Sequence, residues 1–223
     1  MQKLEANLNT IKYKLNTCKT LSEAILYGKE ILPPLQQALI YKLPQETTFN
    51  GSTTFIDTGI PQIDLKDGYS IVIRMNSKAW DNNRSLFGDY GLNTDHRGIV
   101  GLQFVTSTQS GYNNILTFRH YLDDKTKIIG IPTAEVPLNQ YHILICTYDG
   151  ANTGKVYIGD KLRMTNPYFA QLVPMNNLII GRSTPSSAGR YFHGTMSHFL
   201  VYNKELSQEE INDIVLQIEG GTL

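Results

Sequence analysis

Phe192 to Ile211 limits the possible folds of this chain more than any other stretch. Phe192-His193-Gly194-Thr195-Met196-Ser197-His198-Phe199-Leu200-Val201-Tyr202 reads as a strand. Period-two alternation would place Met196, His198, Leu200 and Tyr202 on one face, with Ser197, Phe199 and Val201 on the other. After a short connection, Leu206-Ser207-Gln208-Glu209-Glu210 supplies a Ser N-cap with Glu210 three residues on, the capping box that opens a helix. A strand handing over to a short terminal helix marks the end of a β domain.

The residues before it divide in two. In 1–43, Leu4, Leu8, Ile11, Leu15 and Cys18 follow a four-three-four-three spacing, an a/d seam of two to three heptads. Thr20-Leu21-Ser22-Glu23 is a second capping-box pattern, Pro33-Pro34 ends the helix it opens, and Leu35–Leu43 reads as a further helical turn or an extended arm. A narrow apolar stripe must be covered, either by the chain's own β domain or by other helices. The expectation is an N-terminal helical segment for oligomerisation or anchoring, with a homotrimer favoured.

From residue 44 to 223 the period is two. Strands are expected over Thr54–Gly59, Tyr69–Met75, Ser85–Gly88, Gly98–Phe104, Ile115–His120, Tyr141–Tyr148, Lys155–Leu162 as a hairpin with the preceding strand, Leu178–Gly181, and the Phe192–Tyr202 stretch, all parted by Gly- and Asn-rich turns. Many short strands with helix only at the ends predict a mainly β fold, an antiparallel sandwich.

Lys+Arg and Asp+Glu stand at 20 each, so the chain lacks the cationic surplus that a nucleic-acid partner would need. The 13 Tyr against 8 Phe and one Trp suit either ligand contact or strand propensity. The two cysteines show neither a disulfide framework nor zinc spacing, and Cys146, inside His142-Ile143-Leu144-Ile145-Cys146, reads as a small buried apolar residue. No apolar run approaches a membrane span or a signal core, so neither membrane insertion nor export is expected.

Five ordered landmarks carry a family resemblance. They are Phe49-Asn50-Gly51 leading to Phe55-Ile56-Asp57-Thr58-Gly59; Tyr69-Ser70-Ile71-Val72-Ile73; Gln140-Tyr141-His142 through Tyr148-Asp149-Gly150; Val156-Tyr157-Ile158-Gly159-Asp160-Lys161-Leu162; and Gly194 through Ile211. This set resembles the laminin G-like domains of the concanavalin A-like lectin/glucanase jelly roll. The resemblance implies a jelly-roll sandwich over residues 47–218, with function carried on its loops. Two departures stand out. Tyr141 occupies a position where the family usually has Trp, and Ser197-His198 stands where acidic residues are common, which weakens any inherited calcium site.

The enzymes of this fold use paired carboxylates, often Glu-x-Asp-x-x-Glu. Here Glu135 is the single Glu between Thr47 and Lys204, no Glu-x-Asp exists, and Asp123-Asp124 are adjacent and would face opposite ways. No catalytic residues are expected, and a glycoside hydrolase is the less favoured alternative. No cofactor is expected either; calcium at Asp81-Asn82-Asn83 or Asn93-Thr94-Asp95 competes with the ordinary use of Asp and Asn in turns. His142 is expected to hydrogen-bond across the sheet.

Ligand contacts are sought on loops. Trp80, Asn82, Arg84, Tyr90, Tyr112, Asn113, Arg190 and Tyr191 combine flat rings with amides and guanidinium groups, as sugar recognition requires. Trp80 either packs beneath its own loop or meets the ligand. The expected function is a non-catalytic carbohydrate or cell-surface binding module. A helical arm plus a single lectin-like module resembles a bacteriophage virion component (tail fibre, baseplate or capsid decoration) assembled in the host cytoplasm. The alternative is a module that makes only protein–protein contacts with other virion proteins.

Overall fold

In the computed structural model the described residues are 38–60, 68–80, 84–88, 98–105, 115–122, 125–167, 178–182 and 190–223. The chain divides into two units, Met1–Ala38 and Leu39–Leu223, and the fold below is that of the second. The heptad-like seam, the Thr20 capping pattern and the Pro33-Pro34 stop lie outside the described residues, as do Asp123-Asp124.

The strands in chain order are β1 (Leu39–Lys42), β2 (Thr47–Asn50), β3 (Ile56–Asp57), β4 (Tyr69–Ser77), β5 (Phe87–Gly88), β6 (Gly98–Val105), β7 (Ile115–Leu122), β8 (Lys125–Pro132), β9 (Tyr141–Tyr148), β10 (Gly154–Ile158), β11 (Lys161–Asn166), β12 (Ile179–Ile180) and β13 (His193–Tyr202), followed by helix α1 (Gln208–Glu219). They form two antiparallel sheets of a jelly-roll sandwich. The first is ordered β1-β13-β4-β9-β10-β11, with β2 also paired to β13, and the second β3-β12-β5-β6-β7-β8.

Alternation decides which side chains meet between the sheets. Tyr69, Ile71, Ile73 and Met75 of β4, with Leu144, Cys146 and Tyr148 of β9, pack against Phe87, Leu116, Phe118 and Ile180 of the second sheet. Each fully buried side chain of this size contributes ~1.5–3 kcal/mol relative to exposure. One polar tie crosses this core: Tyr69 Oη and His120 Nε2 lie 2.6 Å apart, both buried. Cys146 is wholly buried here, and burial pushes its thiol far above the usual cysteine range, as expected of a structural residue.

The opposite face of the first sheet is covered as well. Val72, Ile145, Leu200 and Tyr202 are buried, and α1 presents Ile211, Ile214, Val215 and Ile218, the i, i+3, i+4, i+7 stripe of an amphipathic helix. The capping box forms as the sequence indicates: Ser207 Oγ accepts from the Glu210 N–H, and Glu210 Oε2 accepts from the Ser207 N–H. Ser70, turned outward from β4, donates to the Lys204 carbonyl and accepts from the Leu206 N–H, both at 2.9 Å, which fixes where the helix starts.

Four readings change. The phase of β13 is broken by a bulge: Met196 pairs with Met75 but His198 with Arg74, so Ser197 is an extra residue. Met196 therefore joins Phe199 and Val201 in the inter-sheet core instead of sharing the face of Leu200 and Tyr202. Lys155–Leu162 is not one strand. Gly159-Asp160 is a two-residue turn, with Gly159 at φ 58° as a II′ turn requires, and it separates β10 from β11. Of Thr54–Gly59 only Ile56–Asp57 is strand. Leu39–Lys42, within the span assigned to the N-terminal segment, takes the extended alternative and pairs with β13. At Gly194 a Cβ would collide with the Asn76 carbonyl, so this position of β13 requires glycine for close approach to β4.

Candidate functional site

Two surfaces gather polar and aromatic side chains. The first is the rim where the sequence placed its ligand contacts. Arg84 donates from one guanidinium nitrogen to the Gly51 carbonyl (3.0 Å) and the Tyr191 carbonyl (2.8 Å), bracing two loops. The Ser85 N–H donates to the Arg190 carbonyl, and Ser85 and Tyr191 form a parallel bridge. Arg182 stacks on Phe55 at 3.7 Å from the ring centroid and donates to Tyr191 Oη at 3.1 Å. Phe55 is 40% exposed and Tyr191 half-buried, so a guanidinium between two accessible rings forms a flat amphipathic patch. Sequence reasoning found Arg84, Arg190 and Tyr191 in this group and missed Phe55 and Arg182. Phe55 breaks the expected pattern as an exposed apolar residue beside β3.

Trp80 follows β4. Its indole N–H donates to the Val136 carbonyl at 3.0 Å, and its half-buried ring packs against the inter-sheet core. Asn82, Tyr90, Tyr112 and Asn113, and both oxygen-rich loops considered for calcium, lie outside the described residues. Among the described residues, no three His, Cys, Asp or Glu side chains gather as a metal-ligating group. At Ser197-His198, where the family often carries acidic residues, Arg74 donates to Ser197 Oγ (2.9 Å), which lies 3.1 Å from His198 Nδ1. Burial, then the charges of Arg74 and Lys42, hold His198 below the usual histidine value, with Glu46 opposing. A hydroxyl and an imidazole beside two cations do not fit a calcium ion.

The second surface is a cleft of about 630 Å³ on the outer face of the first sheet. It is lined by Arg74, Tyr141, His142 and Ile143 from β4 and β9, by Ile158 to Lys161 and Arg163 from the β10–β11 hairpin, by Glu135, and by Glu219 at the end of α1. Glu135 ends a 3-10 turn (Thr133–Glu135) and forms an ion pair with Arg163, whose Nε lies 2.6 Å from the carboxylate. The Gly159 N–H donates to the Ile143 carbonyl, and Gln208 Nε2 donates to the Asp160 carbonyl, both at 2.8 Å, so the hairpin turn is tied to β9 and to the start of α1. His142 Nε2 donates to the Pro137 carbonyl at 2.9 Å, a bond within the approach to β9 rather than across the sheet. No sequence motif announces this cleft, because its residues span Arg74 to Glu219.

An antiparallel jelly-roll sandwich of two sheets is an architecture shared by lectin-type domains. Residues 50–212 match a laminin G model described as the concanavalin A-like lectin/glucanases superfamily, and the chain belongs to that superfamily. No curated protein matches the chain in sequence. Among solved structures, the fold is similar to the heptameric SAP-like pentraxin of Limulus polyphemus (13% identity, 76% of this chain and 81% of that chain, TM-score 0.56). It is also similar to the Ruminococcus gnavus IT-sialidase CBM40 bound to alpha2,3 sialyllactose (15% identity, 79% and 99%, TM-score 0.56). A third is the botulinum neurotoxin serotype D binding domain (14% identity, 81% and 44%, TM-score 0.58). At these identities the likeness is one of fold.

Proposed function

We propose that this chain is a non-catalytic binding module for carbohydrate on a cell surface, displayed on a larger assembly. The observation that carries the reading is the Phe55–Arg182–Tyr191 patch, two accessible rings around a guanidinium on a rim braced by Arg84. A sugar ring gains from stacking on such a surface, and a guanidinium beside it donates to hydroxyl or carboxylate oxygens. Arg190 adds a further donor, and Trp80 contributes the accessible part of its ring. Asn82, Tyr90, Tyr112 and Asn113 are proposed as further contacts from loops. Superfamily membership and a fold shared with a carbohydrate-binding CBM40 support binding over chemistry, and Glu135, engaged by Arg163, is poorly placed to act as a free acid or base.

The finer placement is a bacteriophage virion, with the part of residues 1–43 that precedes β1 serving as a trimerising or anchoring segment. It rests on the organisation of the sequence, an amphipathic arm joined to a single lectin-like module. Light scattering on the full chain should give a trimer; a monomer overturns the arm's role.

For the binding reading, the full chain is applied to a glycan array and to intact bacteria. Phe55→Ala and Tyr191→Ala should each weaken retention about tenfold, the loss of roughly one stacking contact. No retention at high protein concentration overturns glycan binding and leaves a module that contacts other virion proteins. Release of reducing sugar that depends on Glu135 would replace the non-catalytic reading with hydrolysis.

A further inference from the structure

The outer cleft carries its own argument, independent of the rim. Its aromatic member, Tyr141, is 40% exposed yet held in place: its hydroxyl donates to Glu46 Oε2 at 2.8 Å, and the Arg74 guanidinium lies 4.0 Å from its ring centroid. Arg74 is itself fixed by its bond to Ser197. The guanidinium lies over one face of the ring, and both residues line the cleft, where Tyr141 keeps 40% of its surface exposed. A ring that is exposed and already ordered loses little side-chain entropy when a flat partner stacks on it.

The same cleft is lined by groups that suit hydroxyls. The carboxylates of Asp160 and Glu219 and the ammonium of Lys161 make no ion pair among the described residues, while the backbone beneath Asp160 is tied down by Gln208. Ile143 and Ile158 add apolar surface between them. Acceptors, a donor, an aromatic ring and some apolar surface lining one cleft match the polar edge and apolar face of a pyranose. Charge narrows the choice further. Arg74, Lys161 and Arg163 balance Glu135, Asp160 and Glu219, so an anionic sugar finds no cationic surplus in this lining. The volume falls within the range of small-ligand sites.

We infer that this cleft is a second carbohydrate subsite, taking a neutral pyranoside stacked on the exposed ring of Tyr141 with its hydroxyls held by Asp160, Lys161 and Glu219. With two subsites on one module, a branched or repeating glycan engaging both would bind with the gain of a raised effective concentration.

The test is calorimetric titration of the full chain with neutral gluco-, galacto- and N-acetylglucosamine oligosaccharides, and with sialyllactose as the acidic probe. At least one neutral member should bind more tightly than sialyllactose in the rim variant Phe55→Ala, which leaves the cleft intact. In that background Tyr141→Ala should weaken binding about tenfold, and Asp160→Asn about fivefold, while Tyr141→Phe, which keeps the ring, should lose only about twofold. Tyr141 and Asp160 are exposed, so these variants are expected to keep the wild-type unfolding transition, and a variant that does not is replaced by Lys161→Gln. The inference is overturned if no neutral member binds the Phe55→Ala chain, if sialyllactose outbinds all of them there, or if Tyr141→Ala leaves the affinity unchanged. Loss in Phe55→Ala alone would support the rim and overturn the cleft; loss in Tyr141→Ala alone would do the reverse.

Discussion

Trp80 and Tyr141 are the instructive pair of aromatics in this molecule. Trp80 sits in Lys78-Ala79-Trp80-Asp81-Asn82-Asn83-Arg84, where everything around it in sequence is polar or small, yet its ring is packed on the core and its N–H is committed to Val136. Tyr141 opens the most apolar strand of the chain, yet it is 40% exposed and faces a cleft. The difference is one of phase and cover. Tyr141, Ile143, Ile145 and Thr147 share the outer face of β9, and that face is buried at Ile145 but open at Tyr141, where the strand begins. Polarity of sequence neighbours is thus a poor guide to exposure, whereas strand phase combined with the reach of the covering helix is a good one.

The contrast predicts opposite outcomes for the same truncation. Trp80→Ala should cost about 3 kcal/mol, from lost packing and from leaving the Val136 carbonyl without its donor. Tyr141→Ala should cost less than about 1 kcal/mol, since an exposed hydrogen bond and a surface cation–π contact are all it removes. Urea unfolding of both variants measures this, and equal losses would break the comparison. Trp80→Phe separates the two parts of the Trp80 effect: it keeps much of the ring packing and should retain about 2 kcal/mol of the loss's difference, the remaining deficit of about 1 kcal/mol belonging to the unmade hydrogen bond.

The same logic explains what was legible in the sequence. β4, β9 and β13 are central strands of the first sheet, so each must be apolar on its buried faces, and each was readable; β9 was found with its ends in place. Of the strands that escaped, β2, β8 and β11, the last two are sheet edges. Lys125-Thr126-Lys127-Ile128-Ile129-Gly130-Ile131-Pro132 carries the lysines and the terminal proline that edge strands tolerate, and Lys161-Leu162-Arg163-Met164-Thr165-Asn166 is exposed almost throughout. A strand such as β11, paired on one side and exposed almost throughout, has no alternation to display. The bulge at Ser197 was equally invisible, because inserting a residue into a strand leaves every propensity unchanged and alters only the phase. The sequence named Arg84, Arg190 and Tyr191, which the fold brings to one rim, because they adjoin stretches rich in Asn, Gly and Ser. The cleft was not, since five separate elements supply it and only the fold brings them together.

Arg74 extends the comparison to pH, where the expected effect is smallest. It contacts the exposed ring of Tyr141 and also donates to Ser197 Oγ, which lies 3.1 Å from His198 Nδ1 and 3.5 Å from the Arg74 carbonyl. Burial first, then Arg74 and Lys42, lower the folded-state value of His198 against the weaker pull of Glu46. The unfolded chain therefore takes up this proton at a higher pH than the folded one. As pH falls below about 6.5 the unfolded state gains protons that the folded state does not, stability declines, and the decline from this group ends once pH passes below the folded value. Thermal unfolding should show a lower Tm at pH 5.5 than at pH 7.5, with His198→Gln flattening that difference the most. Arg74→Met should flatten it partly, because burial and Lys42 remain. If Arg74→Met leaves the pH dependence of the wild type intact, the link between the ordered ring and the half-buried histidine is lost.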